Sequence, residues 1–289
     1  MEHGRKILKV AEIIKRPEWA KKKIDFKNMH GTEAALSGMN LHTVCHSARC
    51  PNLSECYGRG TATFLILGSA CTRRCLFCNV TKANPQELIP QEADNVIEAA
   101  KKLGVKYLVV TSVTRDDLKD GGAAVFADII KKARAEGIKI EVLVPDFQGN
   151  VDDIKTVVNA APDVFAHNIE VVPSLYHIRK GASYERSLEV LKKAKEFGVK
   201  KTKSGIMLGL GETEAEVLKT LDDIRGADVD YISIGQYMQP AKENIPVVEY
   251  LKPERYEFFE KAAMDKGFEH AKSGVFVRSS YMADTYGKK

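Results

Sequence analysis

Cys71, Cys75 and Cys78 stand in the spacing C-x3-C-x2-C, within Cys71-Thr72-Arg73-Arg74-Cys75-Leu76-Phe77-Cys78. Three thiolates hold three irons of a four-iron cluster and leave the fourth iron without a protein ligand, open to a small molecule that can be reduced there. An incomplete zinc site is the other reading, but structural zinc takes four ligands and no fourth is nearby. A second group, Cys45, Cys50 and Cys56, has the spacing C-x4-C-x5-C. The turn formers Ser47, Pro51, Asn52 and Ser54 make this segment a loop wrapped around something. Its spacing suits a cluster and not the C-x2-C knuckles of zinc ribbons. It too leaves one iron needing a ligand from elsewhere. All six cysteines of the chain lie in these two groups, which points to metal binding rather than a disulfide framework.

The elements that must position these thiols alternate from residue 61 onward. Strand-like runs are Thr63–Leu67, Tyr107–Val110, Ile138–Val144, Val164–Ala166, Gly205–Leu208 and Tyr231–Ile234. Most are apolar throughout, as parallel strands buried on both faces are. Amphipathic helices separate them. One, opened by Pro90, buries Ala93, Val96, Ile97, Ala100 and Leu103 and ends at Gly104. Others carry the stripes Val125, Ile129, Ile130, Ala133 and Leu188, Leu191, Ala194. Thr213-Glu214-Ala215-Glu216 is a capping box for a fourth, and Pro253 opens a last one. The series predicts an α/β fold, a partial (β/α)6 TIM-type barrel, although a doubly wound open sheet has the same periodicity. Cys71–Cys78 then follows the first strand at the barrel mouth. Thr111 and Ser112, His167-Asn168-Ile169-Glu170, and Lys203, Ser204 and Glu212 sit at other strand ends and are expected to converge there.

Around the barrel, expected over 61–267, lie an N-terminal extension, 1–60, and a C-terminal tail, 268–289. Arg16-Pro17-Glu18-Trp19 reads as an arm laid over the body, with Trp19 as a packing anchor. The tail runs apolar through Val275-Phe276-Val277 and stops in Arg278-Ser279-Ser280-Tyr281, so it reads as a segment tucked into the protein that delivers its polar end to a site. Both extensions are expected to cover the barrel mouth. The 289 residues are 44% apolar, enough for a sizeable core, and the formal charge of +5 is too mild and dispersed to argue for nucleic acid. No apolar run reaches membrane-spanning length. Met1 to Lys9 lacks the apolar core of a signal peptide, which makes a cytoplasmic location the expectation.

The Cys71–Cys78 motif resembles that of the radical S-adenosylmethionine superfamily. Gly205-Ile206-Met207-Leu208-Gly209-Leu210-Gly211-Glu212 matches that superfamily's G-x-I-x-G-x-x-E pattern, with Met207 in place of Ile. Both cysteine groups together with Arg278-Ser279-Ser280-Tyr281 resemble the lipoyl synthase family. The likeness continues through Ala48-Arg49-Cys50-Pro51-Asn52, Thr111-Ser112-Val113, Arg115-Asp116-Asp117, Asp120-Gly121-Gly122, His167–Glu170 and Gln236-Tyr237-Met238-Gln239-Pro240, and it covers nearly everything from Cys45 to Ala283.

The resemblance implies sulfur insertion at C6 and C8 of an octanoyl chain amide-linked to a carrier lysine, with one S-adenosylmethionine consumed per C–S bond. The implied cofactors are two 4Fe-4S clusters and S-adenosylmethionine. Cys71, Cys75 and Cys78 would hold the radical-generating cluster. Cys45, Cys50 and Cys56 would hold a sacrificial, sulfur-donating one, with Ser280 rather than Ser279 as fourth ligand and Arg278 and Tyr281 orienting it. Phe77 would pack beside the adenine. Asn168 and Glu170 would bond the ribose and the methionine amine, and Thr111, Ser112, Lys203 and Met207 would complete the cofactor pocket. The implied partners are octanoylated lipoyl-carrier domains (2-oxoacid dehydrogenase E2 subunits or the glycine cleavage H protein), a reductant such as ferredoxin or flavodoxin, and an iron–sulfur cluster carrier. A thiolating radical enzyme acting on RNA or a small molecule would share the barrel but not the upstream cysteines or the terminal motif. A two-cluster electron carrier would use four cysteines per cluster and a small fold.

Overall fold

The computed structural model describes residues 14–23, 25, 29–39 and 41–286; the segment Met1–Lys9 lies outside them. Eight strands form one sheet in chain order: β1 (His42–Thr43), β2 (Thr63–Ile66), β3 (Tyr107–Ser112), β4 (Lys139–Leu143), β5 (Val164–Ala166), β6 (Thr202–Leu208), β7 (Tyr231–Gln236) and β8 (His270–Gly274). Strands β2 to β8 run parallel, and β1 lies antiparallel to β2. No pairing joins β8 to β1 among the described residues, so the barrel is partial and open on that side.

The six expected strands are β2 to β7. The sheet adds β1 and β8, neither of which contains an apolar run. Edge strands commonly carry polar residues, and His42-Thr43 and His270-Ala271-Lys272-Ser273-Gly274 are of that kind. The expected tail therefore begins with a strand of the sheet.

Short helices α1 (His30–Leu36), α2 (Val44–Ser47) and α3 (Leu53–Gly58) carry the N-terminal cysteine segment. Around the sheet lie α4 (Glu92–Lys102), α5 (Ala123–Ala135), α6 (Val151–Asn159), α7 (Tyr184–Glu196), α8 (Glu214–Gly226) and α9 (Pro253–Asp265). The capping box of α8 forms in both directions: Glu216 N–H donates to Thr213 Oγ1 at 3.3 Å, and Thr213 N–H to Glu216 Oε2 at 2.8 Å. Sequence reading passed over α6, whose N-terminus is capped by Asn150.

Side chains alternate across the strands. Leu108 and Val110 pack outward with Val96, Ile129 and Ile130. Tyr107, Val109 and Thr111 therefore face the lumen. Directly paired residues share a face, as do residues two apart in a strand, so Thr63, Val109, Glu141, Val164, Ala166, Lys203, Tyr231 and His270 line the lumen toward its N-terminal end.

The tail enters this lumen. After β8 the chain turns, with Val277 N–H bonded to Gly274 O at 3.0 Å, and runs back inside the barrel. A Cβ on Gly235 would lie 2.2 Å from Val277 O, so glycine is required there for the tail to pass. Ser279 Oγ donates to Asn168 Oδ1 at 3.1 Å. Below it, Tyr286 is buried under Lys203, whose Nζ lies 3.8 Å from the ring centroid. The N-terminal extension docks on the tail: Asn52 Nδ2 donates to Phe276 O at 2.7 Å, and Tyr281 OH to Glu55 Oε1 at 2.9 Å. Trp19 packs edge-on against Tyr250, as an anchor for the arm.

The N-terminal extension also meets the mouth: Asn79 Nδ2, in the segment after β2, donates to Ser47 O at 2.9 Å, and Arg49 Nη1 donates to Pro240 O, after β7, at 3.2 Å. The tail enters through the open side, which a partial barrel, unlike a closed one, offers to a returning chain.

Candidate active site: two thiol groups at opposite ends of one strand

The loop after β2 places Cys71, Cys75 and Cys78 at the strand's C-terminal end. Leu67 and Gly68 take left-handed backbone (φ 65° and 91°) to turn the chain into it. A non-glycine residue rarely adopts that region, and Leu67 is held there by polar clamps. Its N–H donates to both oxygens of the buried Glu92 carboxylate at 2.9 and 3.1 Å, and its carbonyl accepts from Arg115 Nη1 at 3.0 Å. Within the loop, Arg73 forms a buried double ion pair with Asp116 and Asp146, at 2.7 Å to each. Despite its burial, Asp146 is held well below the usual carboxylate range, at about 2, by Arg73, with His167 and Arg186 adding to it. From the segment after β7, Asn244 Nδ2 donates to Leu76 O and Cys78 O at 3.2 and 2.9 Å. The loop is thus fixed from both sides of the mouth.

The residues fit a cluster. All six cysteines are free thiols. Arg73 N–H points at Cys71 Sγ (3.4 Å) and Val80 N–H at Cys78 Sγ (3.5 Å), amide-to-sulfur bonds of the kind that support cluster thiolates. Burial pushes the Cys75 thiol up to about 11 and that of Cys78 also upward. Such groups give up their proton at neutral pH when a metal ion takes its place. Among the described residues, no three His, Cys, Asp or Glu side chains are grouped around one ion. Thiolates that each bind a different iron of a cluster would not be.

Beside this loop lie several of the residues expected to bind the cofactor. Desolvation raises the pKa of the half-buried Glu170, and Arg179 brings a positive charge close to it and to Cys75. Asn168 Nδ2 donates to Glu170 Oε1 at 3.1 Å. Glu170 has left-handed backbone (φ 69°), a strained conformation of the sort that functional sites retain. Phe77 and Met207 pack against the core cluster of the β6–β7 half. Ser112, on the same outward face of β3 as Leu108 and Val110, has a buried hydroxyl with no partner among the described residues, whereas Thr111 Oγ1 is spent on Leu143 O at 2.9 Å. His167 is buried with Nδ1 2.8 Å from Val144 O, and burial lowers its pKa to about 4.

Lys203 is not brought to this end. It stands near the start of β6, is fully buried, and pairs with Glu141 at 3.0 Å. Tyr107 OH donates to the same carboxylate at 2.9 Å. Its expected place in the cofactor pocket is therefore corrected: it belongs to the barrel floor. The expected strand begins at Gly205; β6 begins three residues earlier, at Thr202, which moves Lys203 to the wrong end for the cofactor.

At the N-terminal end of β2 a cavity is lined by Cys45, Cys50, Cys56, Thr63, Arg278 and Ser280, with Tyr107 and Val109 behind. Because β1 runs antiparallel, Thr43 pairs with Phe64, and Cys45 falls beside the start of β2. Burial raises the Cys45 thiol to about 12 and that of Cys56 to about 11. Three thiols and a hydroxyl in one cavity are a four-donor set, which fits a closed cluster. Ser280 faces these thiols, and Ser279 faces Asn168. Arg278 does not bond Ser280; it donates to Val277 O at 2.6 Å. The two thiol groups flank β2, whose four residues span roughly 10 Å.

A profile of the Radical SAM superfamily matches residues 65–224. The lipoyl synthase of Caldanaerobacter subterraneus subsp. tengcongensis is 51% identical over 94% of this chain and 96% of its own length. That of Geotalea uraniireducens is 48% identical over 96% and 99%. The chain belongs to the lipoyl synthase family. The crystal structure of Streptococcus suis SuiB bound to precursor peptide SuiA shares the barrel, with a TM-score of 0.59 at 12% identity; 73% of this chain covers 48% of that one, about half its length. For a lipoyl synthase, the parts that sequence reading missed are Arg179, Asn244, Thr63 and the Arg73–Asp146 pair. Arg179 and Asn244 lie in irregular segments and carry no local signal. Arg73 sits inside the cysteine motif itself, and a buried arginine between two thiols could have been asked for its acid.

Proposed function

We propose that the chain inserts two sulfur atoms, at C6 and C8, into an octanoyl chain amide-linked to a lysine of a carrier domain. The observation that carries this is the pair of thiol groups at opposite ends of β2, the second completed by Ser280 from the tail. When bound, the cluster on Cys71, Cys75 and Cys78 supplies the electron that cleaves S-adenosylmethionine, and the one on Cys45, Cys50, Cys56 and Ser280 supplies sulfur.

The chain's own residues do the rest. Glu170 accepts the methionine ammonium, and its partial burial strengthens that pairing. Arg179 faces the methionine carboxylate, and Asn168 offers hydrogen bonds to the sugar. Phe77 and Met207 form the apolar wall for the adenine. The packed tail keeps water from the lumen, where the octanoyl chain would lie between the two groups. Serine oxygen is a hard ligand, poorly matched to a thiolate cluster, and so suits a site that must open.

The carriers are 2-oxoacid dehydrogenase E2 subunits or the glycine cleavage H protein, the electron donor is a ferredoxin or flavodoxin, and an iron–sulfur carrier rebuilds the second cluster. No helix among the described residues is long and apolar enough to cross a membrane. Six free thiols suit the cytoplasm, where we place the enzyme. Three parts compose it: residues 1–60, which add β1 to the sheet, the barrel body at 61–267, and 268–289, which add β8.

The test is anaerobic reconstitution followed by reduction with S-adenosylmethionine and an octanoyl-lysyl carrier domain. About eight irons per chain, 5′-deoxyadenosine and a carrier heavier by two sulfurs are expected. Nucleoside without sulfur gain would sink the lipoyl reading; no nucleoside would sink the radical one.

A further inference from the structure

Thr63 opens β2 and faces the lumen beside Val109, almost wholly buried. The next lumen-facing residue of the strand, Leu65, is apolar, so the hydroxyl of Thr63 is the polar group that β2 offers to the auxiliary cavity. A hydroxyl buried there costs free energy unless it is bonded. Thr63 Oγ1 donates to Ser280 Oγ at 2.8 Å, across 217 residues of sequence. Thr63 lines the same cavity as Cys45, Cys50 and Cys56.

The two serines of the terminal motif are sorted by these partners. Ser279 is turned to Asn168 and Ser280 to Thr63. The flanking residues of the motif bond elsewhere, Arg278 to the Val277 carbonyl and Tyr281 to Glu55. We infer that Thr63 is a positioning residue of the auxiliary site: its hydroxyl turns Ser280 toward Cys45, Cys50 and Cys56 and so selects it as the fourth ligand. This rests on the reading of Ser280 as that ligand. A serine oxygen accepts the Thr63 hydrogen through one lone pair and keeps another to face a metal. Oxygen is the weakest match of the four donors, so its ligation depends most on being held in place. Groups that orient a ligand in this way typically carry about 10–100-fold in metal affinity.

The test uses the full chain with Cys71, Cys75 and Cys78 replaced by alanine, so that only the auxiliary group loads. Iron release to a chelator and the electron paramagnetic resonance spectrum of the reduced cluster are measured for T63V, T63S, S280A and T63V/S280A. T63V keeps the shape of the side chain and removes its hydroxyl. It is expected to release iron about 10–100-fold faster, with a spectrum moved toward that of S280A. T63S is expected to restore both readouts. The double variant is expected to be no worse than S280A alone, because Thr63 acts through Ser280. Additive losses in the double variant would overturn the inference. So would a T63V that matches the parent while S280A does not, and that result leaves the serine reading standing. If S280A changes neither readout, the serine reading itself fails and the inference goes with it.

Discussion

The two thiol groups are built in opposite ways. The upper one is a single stretch of eight residues from Cys71 to Cys78, carried on one loop and braced by an ion pair and an asparagine. The lower one is assembled from two segments remote in sequence: the stretch from Cys45 to the start of β2 at Thr63, and the tail around Ser280. The upper group therefore keeps its geometry whenever the β2 loop is in place. The lower one exists only when the two ends of the chain meet. A site that must hold one cluster through every turnover suits the first construction. A site that must give up its contents suits the second, because a ligand on a separate segment can leave without disturbing the rest.

Removing one thiol from each group is the sharpest way to break the comparison. Cys78→Ala should abolish release of 5′-deoxyadenosine and of lipoyl product alike, with iron falling to about four per chain. Cys50→Ala should keep nucleoside release and lose the sulfur-bearing carrier, as read by mass spectrometry. If both variants lose nucleoside equally, the two groups do not divide the chemistry.

A smaller effect follows from the brace. Asp146→Ala leaves Arg73 buried with half its partners and should cost about 3–5 kcal/mol in denaturant unfolding. It should loosen the upper cluster before the lower one. The pH dependence has a definite sign. Asp146 titrates at about 2 when folded, below its ordinary value, so its contribution is present above the usual carboxylate range and is lost as pH falls toward 2. That loss amounts to about 2 kcal/mol. Asp146→Asn should start less stable and show a correspondingly shallower acid decline.

Gly235→Ala addresses the lower group alone. A methyl group would collide with Val277 O and push the tail out of the lumen, at about 1–3 kcal/mol. Sulfur transfer should fall while uncoupled nucleoside release continues; an unchanged lipoyl yield would contradict the threaded tail. The smallest effect is a control. Thr213→Ala removes the α8 cap, whose bonds go to Glu216 and to neither thiol group, and should cost about 1 kcal/mol of stability with both activities kept.

Legibility in the sequence followed the same division. The upper group is local, so its spacing alone announced it. The helices with caps and apolar stripes, α4, α5 and α8, were equally plain, because their signals lie within a few residues. Cys45, Cys50 and Cys56 were visible as a set, but their place was not. It depends on β1, a two-residue strand of His42 and Thr43 with no hydrophobic pattern. Thr63 could not be found, since a threonine in a strand is ordinary and its partner lies 217 residues away. Lys203 was misplaced because a buried lysine at a strand start looks like a polar strand-end residue until the pairing with Tyr231 fixes its level.

The path of the tail inside the barrel also fixes an order of events in folding. Ser280 follows every strand of the sheet in the chain, and its contact with Thr63 closes a loop of 217 residues. Contacts of such sequence separation form slowly. The sheet and the upper loop can be complete while residues 275–286 are still searching for the lumen. The newly made chain thus passes through a stage with a finished radical site and three unguarded thiols beside an empty channel. Loading the second group is a late step of maturation, and oxidation of those thiols during that interval is the hazard it must outrun.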